Sequence, residues 1–287
     1  MGVRMGSWWI NGDNMDKTLY LNENEGLEVT RDGPSIWVRE DGRAGRRIPV
    51  RLVGRVVVIG NLKIEAGVIT LFTENDIPVT FMNRRGREVA VTIPYNHNLP
   101  RHHEEQRVFL ETEENENRVK TLICSRKREF HLNTVKRLSG VVAANFTANG
   151  FRECDYQEFI SKYKPRSQEQ WVVVCGIISN LFKEIIIGSL MKSDLDPHIG
   201  ILHRRHNFGL ALDICHIMGP EIDLHVVQFF RCNKDNNLMQ KGNNGWLVSQ
   251  QGMKDIIHRF ENRRKSLHEK IEGIIDDLFR LMRELRL

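Results

Sequence analysis

The sequence predicts an α+β protein, with a β-sandwich domain over residues 17–95, a linker over 96–106 and an all-α helical domain over 107–287. Two observations predict it. Short β-type segments separated by turn residues fill the first part, and after Asn96 to Pro100 the apolar period changes to that of helices. A chain of 287 residues, 40% of them hydrophobic, can bury a sizeable core.

The strands are expected at Thr18–Leu21, Leu27–Thr30, Ser35–Val38, Ile48–Leu52, Val56–Ile59, Val79–Met82 and Val89–Ile93. Turn residues at Gly26, Asp32 to Pro34, Asp41 and Gly42, Gly60 and Asn61, and Arg85 and Gly86 break them. Seven short strands so closely spaced suit a small sandwich. Ile64 to Asn75 interrupts them with apolar residues at helical spacing, so one short helix belongs here. Pro94, Asn96, Asn98 and Pro100 disfavour regular structure and set the domain boundary. Helices follow at about 104–138, 139–164, 168–192, 206–218 and 253–287. In the last, an apolar stripe runs from Ile256 through Phe260, Leu267, Ile271 and Ile275 to Met282.

Trp171 to Met191 is almost continuously apolar, but Asn180, Lys183 and Glu184 sit at its centre, where hydrocarbon disfavours charge. A buried helix is expected, with no membrane partner. Five cysteines without a C-x-x-C pair argue against a disulfide framework or a four-cysteine zinc site, and no signal-peptide pattern opens the chain. Cytoplasmic localisation is the expectation.

The formal charge of +5 does not by itself require nucleic acid, so the placing of charges decides. Residues 104–116 hold six glutamates, whereas 118–137 hold seven basic residues against Glu129. The two faces either pair with each other and stay solvated, or the basic one tracks phosphates; Lys120, Arg126, Lys127 and Arg128 are its DNA-binding candidates.

Asp194 to His216 carries four histidines and three aspartates. On a helix, Asp213 and His216 stand three apart on one face, a spacing that lets two side chains share a metal, and His203 on the preceding turn is the third candidate. The alternative is that these histidines are hydrogen-bonded core or interface groups. Arg204 and Arg205 follow His203 and could place a phosphate, or lie in a solvated loop. Cys215 adjoins His216, but neighbours on a helix diverge by about 100°, which argues against a nucleophile–base pair. No P-loop, dinucleotide or zincin motif is present.

Four segments taken together, Asp196-Pro-His-Ile-Gly-Ile-Leu-His203, Gly209-Leu-Ala-Leu-Asp213, Pro220-Glu-Ile-Asp223 and Gly252-Met-Lys-Asp-Ile-Ile-His-Arg-Phe-Glu261, resemble the helical domain of the CRISPR-associated integrase of spacer acquisition. Leu21, Gly26, Leu27, Ile48, Pro49, Val58, Gly60, Ala66, Gly67, Ile77 to Phe81 and Gly86 are similar to that family's β domain, so the resemblance covers about residues 17–265. It implies a homodimer formed through the β domain and a helical domain that binds DNA and one Mg²⁺ or Mn²⁺. It also implies a small CRISPR adaptation partner protein, and the joining of 3′-hydroxyl ends to the CRISPR array by transesterification. By position, His203 is the family's histidine ligand and Asp213 the aspartate of the next helix.

Two positions depart from the family. His216 stands where the next acidic ligand is expected, and Ser139 where an earlier glutamate is, with Glu153 or Glu158 as the alternative source of that carboxylate. Asp213 would then be the sole anion; Mg²⁺ would bind poorly, and two imidazoles would favour Mn²⁺, Zn²⁺ or Ni²⁺. The expectation divides between a metal-dependent endonuclease or integrase, with His203, Asp213 and His216 as catalytic and metal residues, and a catalytically impaired DNA-binding subunit on the same scaffold. A nucleic-acid-binding domain unrelated to CRISPR is a third reading.

Overall fold

A computed structural model describes residues 3–5, 8–11, 17–24, 26–92, 99–232, 237–242 and 245–284. The start of the expected linker, residues 96–98, lies outside the described residues, as do Ile93 of the expected last strand and residues 285–287 of the expected last helix. The protein is mixed α+β and divides into two compact units, Met1–His97 with Asn236–Ile257, and Asn98–Asp235 with His258–Leu287.

The first unit contains β1 (Val3–Met5), β2 (Trp8–Asn11), β3 (Thr18–Asn22), β4 (Glu28–Asp32), β5 (Ser35–Arg39), β6 (Arg46–Pro49), β7 (Arg55–Ile59), β8 (Lys63–Ile64), α1 (Ala66–Thr73), β9 (Val79–Met82), β10 (Glu88–Thr92), β11 (Met239–Gly242) and β12 (Gly245–Val248). One sheet has the order β1-β2-β3-β7-β9-β10, with β3, β7 and β9 parallel at its centre. A second sheet has the order β6-β5-β4-β8, and β11 pairs with β12 in a separate hairpin. Leu19, Leu21, Val56 and Val58 of the first sheet share a core with Val29, Ile36, Val38 and Ile48 of the second and with Phe72 of α1. Side chains alternate along a strand, so Tyr20 and Val57 face away from that core; both are nevertheless fully buried, as central parallel strands require.

The expected strand at Ile48–Leu52 is a correction: pairing ends at Pro49, and a 3-10 turn takes Val50–Leu52. Proline removes a ladder donor and closes the strand. The β11–β12 hairpin and the first two strands are additions to the expected set.

The second unit is helical: α2 (His103–Phe109), α3 (Glu113–Leu138), α4 (Gly140–Asn149), α5 (Glu153–Ser161), α6 (Gln168–Lys192), α7 (Gly209–Ile217), α8 (Gly219–Cys232) and the part of α9 (Gln250–Glu284) from His258 onward. α6 is the buried centre and packs against α7 and α8, while α3 packs against α4, α7 and α8. Length and composition would let α6 cross a membrane, but 67% of its apolar window is buried inside the protein. Asn180 and Glu184 are buried at its middle, and Lys183 Nζ donates to Asn180 Oδ1 at 3.1 Å.

Two expected long helices are each broken. Thr112 interrupts 104–138: its side chain caps α3 by accepting from Asn115 N at 3.4 Å, and Glu113, Glu114 and Glu116 complement the positive end of the helix dipole. Gly150, at φ 72°, interrupts 139–164 in a conformation that favours glycine. α8 is absent from the expected set, because Pro220 reads as a breaker although the first turn of a helix tolerates proline. The apolar stripe of α9 is buried as its spacing predicts.

Carboxylates tie these helices together. Glu221 on α8, 2% exposed, accepts from Arg137 Nη1 on α3 at 3.0 Å and from Lys270 Nζ on α9 at 2.6 Å. Asp277 on α9 accepts from Arg126 on α3.

Candidate functional site

The site is built on the loop between α6 and α7. Gly200 and Gly209 let this loop lie on the first turn of α7: a Cβ on Gly200 would sit 2.3 Å from the Gly209 carbonyl carbon, and one on Gly209 would sit 2.7 Å from His203 O. Phe208, at φ 60°, turns the chain into α7. Asp213 projects from α7 into the loop and is 1% exposed. Its Oδ2 accepts from Ile201 N at 2.6 Å and Leu202 N at 3.2 Å, and its Oδ1 accepts from His203 N at 3.1 Å.

The same Oδ1 lies 2.7 Å from His203 Nδ1. A carboxylate already accepting from three main-chain amides is an acceptor here as well, so His203 Nδ1 donates to it. Both Asp213 oxygens are engaged by the loop, and the carboxylate orients His203 from behind, as carboxylates do behind metal-ligating histidines.

His216, three residues beyond Asp213, lines a cavity of about 330 Å³ with His203, His131, Lys127, Cys175 and Asp223. The His203 and His216 ring centroids are 6.4 Å apart. Lys127 enters from α3, where its Nζ donates to Glu153 Oε1 at 2.6 Å and to His216 Nε2 at 3.2 Å. Burial first, and then the Lys127 ammonium, push the His216 pKa down, which suits an accepting imidazole. The Lys127 hydrogen bond holds Glu153 below the usual carboxylate range. Burial lowers His131 to about 4. It raises Asp223 to about 6, against the opposing effect of the Tyr156 hydroxyl donating to Asp223 Oδ2 at 3.0 Å.

The remaining candidates separate. Ser139 caps α4 by accepting from Val142 N at 3.4 Å, and neither Ser139 nor Glu158 is among the residues lining the cavity. Glu153 does approach it, through Lys127. Of the expected DNA contacts, Arg204 donates to Glu116 Oε2 at 2.8 Å, and Lys120 pairs with Glu116 Oε1 at 2.7 Å. Arg126 is tied to Asp277 and to Glu129, and Lys127 to Glu153. Arg128 is exposed, with its guanidinium 5.0 Å from the Phe151 ring centroid, and Arg205 is exposed without an ion pair among the described residues. Much of the basic run thus pairs internally. Lys127 and Glu153 come together across a sequence gap that spacing does not reveal.

These residues do not fit a hard divalent cation as they stand. Among the described residues no three His, Cys, Asp or Glu side chains gather closely enough to hold a metal ion. Lys127 engages the His216 lone pair and the Glu153 carboxylate, and Mg²⁺ requires oxygen ligands in octahedral array.

A family model for the CRISPR-associated protein Cas1 matches residues 19–144 and 179–262. Among solved structures, a Cas1 protein from Thermotoga maritima is similar with a TM-score of 0.74 at 18% identity, over 93% of this chain and 96% of that one. A casposase bound to integration product has a TM-score of 0.65 at 15% identity, over 83% of this chain and 80% of that one. A chain of a Cas6-RT-Cas1–Cas2 complex has a TM-score of 0.70 at 13% identity, over 95% of this chain and 35% of that one. No curated protein matches the sequence.

Proposed function

The chain belongs to the Cas1 family of CRISPR-associated proteins, and from that premise we propose that it acts on DNA in spacer acquisition, with its metal-dependent chemistry weakened. A family match that runs through both units supports the DNA role. One observation carries the weakening: the Lys127 ammonium lies against His216 Nε2 and Glu153, the donors a cation would need. The protein then holds fragment ends for joining to the CRISPR array, with Arg205 and Arg128 as the exposed cations that meet phosphate.

A fully active endonuclease or integrase is the second reading, and the retained His203, fixed by Asp213 beside an open cavity, favours it. Its partners in either case are DNA, a second copy bound through the β unit, and a small adaptation protein, in the cytoplasm. The casposase with its integration product and the complex containing Cas1 and Cas2 are relatives consistent with those partners.

Fluorescence anisotropy with forked DNA tests the DNA role, and absence of binding at low salt refutes it. Nuclease and strand-joining assays with Mg²⁺ and Mn²⁺ test the chemistry, on the wild type and on His216→Asp combined with Lys127→Ala, which supplies a carboxylate and removes the ammonium. The expected result is DNA binding by both proteins and more metal-dependent cutting by the double variant. Strong Mg²⁺-dependent cutting by the wild type refutes the weakening.

A further inference from the structure

We propose that the Lys127 ammonium is the resident cation of this pocket and stands in place of a divalent metal. The inference rests on reading His203 and His216 as standing at the family's metal position. It goes beyond that reading by assigning the cation itself to the chain.

The geometry is that of a held ion. Lys127 reaches the pocket from α3, Glu153 from the first turn of α5 and His216 from α7, so three separate helices converge on one ammonium. Only 15% of the Lys127 side chain is exposed, whereas unpaired surface lysines extend into water. The ammonium contacts one carboxylate oxygen and one imidazole nitrogen, with the His203 ring 6.4 Å from that of His216. Two imidazoles and a carboxylate are a donor set that borderline transition cations accept.

Ammonium and metal exclude one another on two counts. Each needs the same His216 lone pair, which serves a single acceptor bond or a single coordinate bond at a time. Each also draws on the Glu153 charge, while Asp213 is occupied by the loop amides and Asp223 accepts from the Tyr156 hydroxyl. A dication placed beside Lys127 would also be repelled at close range by the ammonium. Removing the ammonium removes both obstacles and frees His216 Nε2 and Glu153 Oε1, which it now holds, beside a cavity that His203 also lines.

The test is Mn²⁺ binding alone, read as loss of the free-ion electron paramagnetic signal. The proteins are the full-length wild type, Lys127→Ala, Lys127→Met and the double variant Lys127→Ala/His216→Ala, each checked by circular dichroism. Lys127→Met keeps most of the stem and guards against a folding failure of the alanine variant. The wild type is expected to take up no stoichiometric Mn²⁺. Both single variants are expected to bind one ion at least about tenfold more tightly, the gain that removing one like charge at contact supplies, and the double variant to lose it. One Mn²⁺ bound by the wild type as tightly as by the variants overturns the proposal, as does a failure of both folded single variants to gain a site. DNA binding is measured separately by anisotropy, so loss of this proposal leaves the DNA role standing and the reverse also holds.

Discussion

Replacing Asp213 by asparagine separates a carboxylate that holds a loop from one that holds a metal. In the structure its two oxygens accept four hydrogen bonds, two each, from Ile201 N, Leu202 N, His203 N and His203 Nδ1. An asparagine of the same shape offers one oxygen and one amino group, so in either orientation two of these donors meet another donor. Each buried donor left without a partner costs about 1–3 kcal/mol. Asp213→Asn should therefore lower stability by about 2–6 kcal/mol in metal-free buffer. Urea denaturation with chelator present measures the loss, and amide hydrogen exchange should show lost protection at Ile201, Leu202 and His203. A bare metal ligand behaves oppositely, since without the ion its carboxylate is an unneutralised charge whose removal leaves the apo protein no weaker. A loss below about 1 kcal/mol with unchanged exchange at the three amides refutes the assignment.

Three other outcomes follow from the same contacts. Glu221→Ala leaves Arg137 and Lys270 without their buried anion and should cost about 3–5 kcal/mol in the urea transition. Asp223 has a folded pKa raised from 3.8 to about 6, so its contribution is fully present below pH 3.8 and is lost as pH rises through 6. Asp223→Asn, which can still accept from Tyr156, should be more stable than wild type by ~1–3 kcal/mol above pH 7 and indistinguishable below pH 4 in pH-dependent thermal melts. Arg205→Ala should flatten the salt dependence of DNA binding by about one unit of log–log slope, while Lys120→Ala, already paired with Glu116, should leave it unchanged; equal slopes for the two variants would remove Arg205 from the interface.

Much of the fold is legible in the sequence because its central elements are locally consistent. The strands at Thr18–Asn22 and Val79–Met82, and the helices at Gln168–Lys192 and Gln250–Glu284, declare themselves by period alone. The breaks are less visible. Thr112 looks like one more polar residue in an acidic run, yet its hydroxyl caps the start of α3. The β11–β12 hairpin carries a turn signal at Gly245, whose φ is 113°, in a stretch too short to show a clear alternation.

The site was legible in its parts and not in its connections. His203, Asp213 and His216 are found by motif and do come together, but the role of Asp213 depends on where three amides of a loop point. Lys127 reads as one cation in a basic helix, and its contact with His216 spans 89 residues of chain. Long-range pairings of polar groups leave no period in a sequence.

The close approach of Gly200 to Gly209 divides the burden of the site in an unexpected way. The imidazole of His203 is held by main-chain contact and by a carboxylate behind it, so the groups that meet ligand can drift in identity without moving the frame that carries them. The side chain at position 216 can in this manner change in character without displacing the loop and helix that carry His203. Two residues without side chains set the form, and the side chains around them set the chemistry.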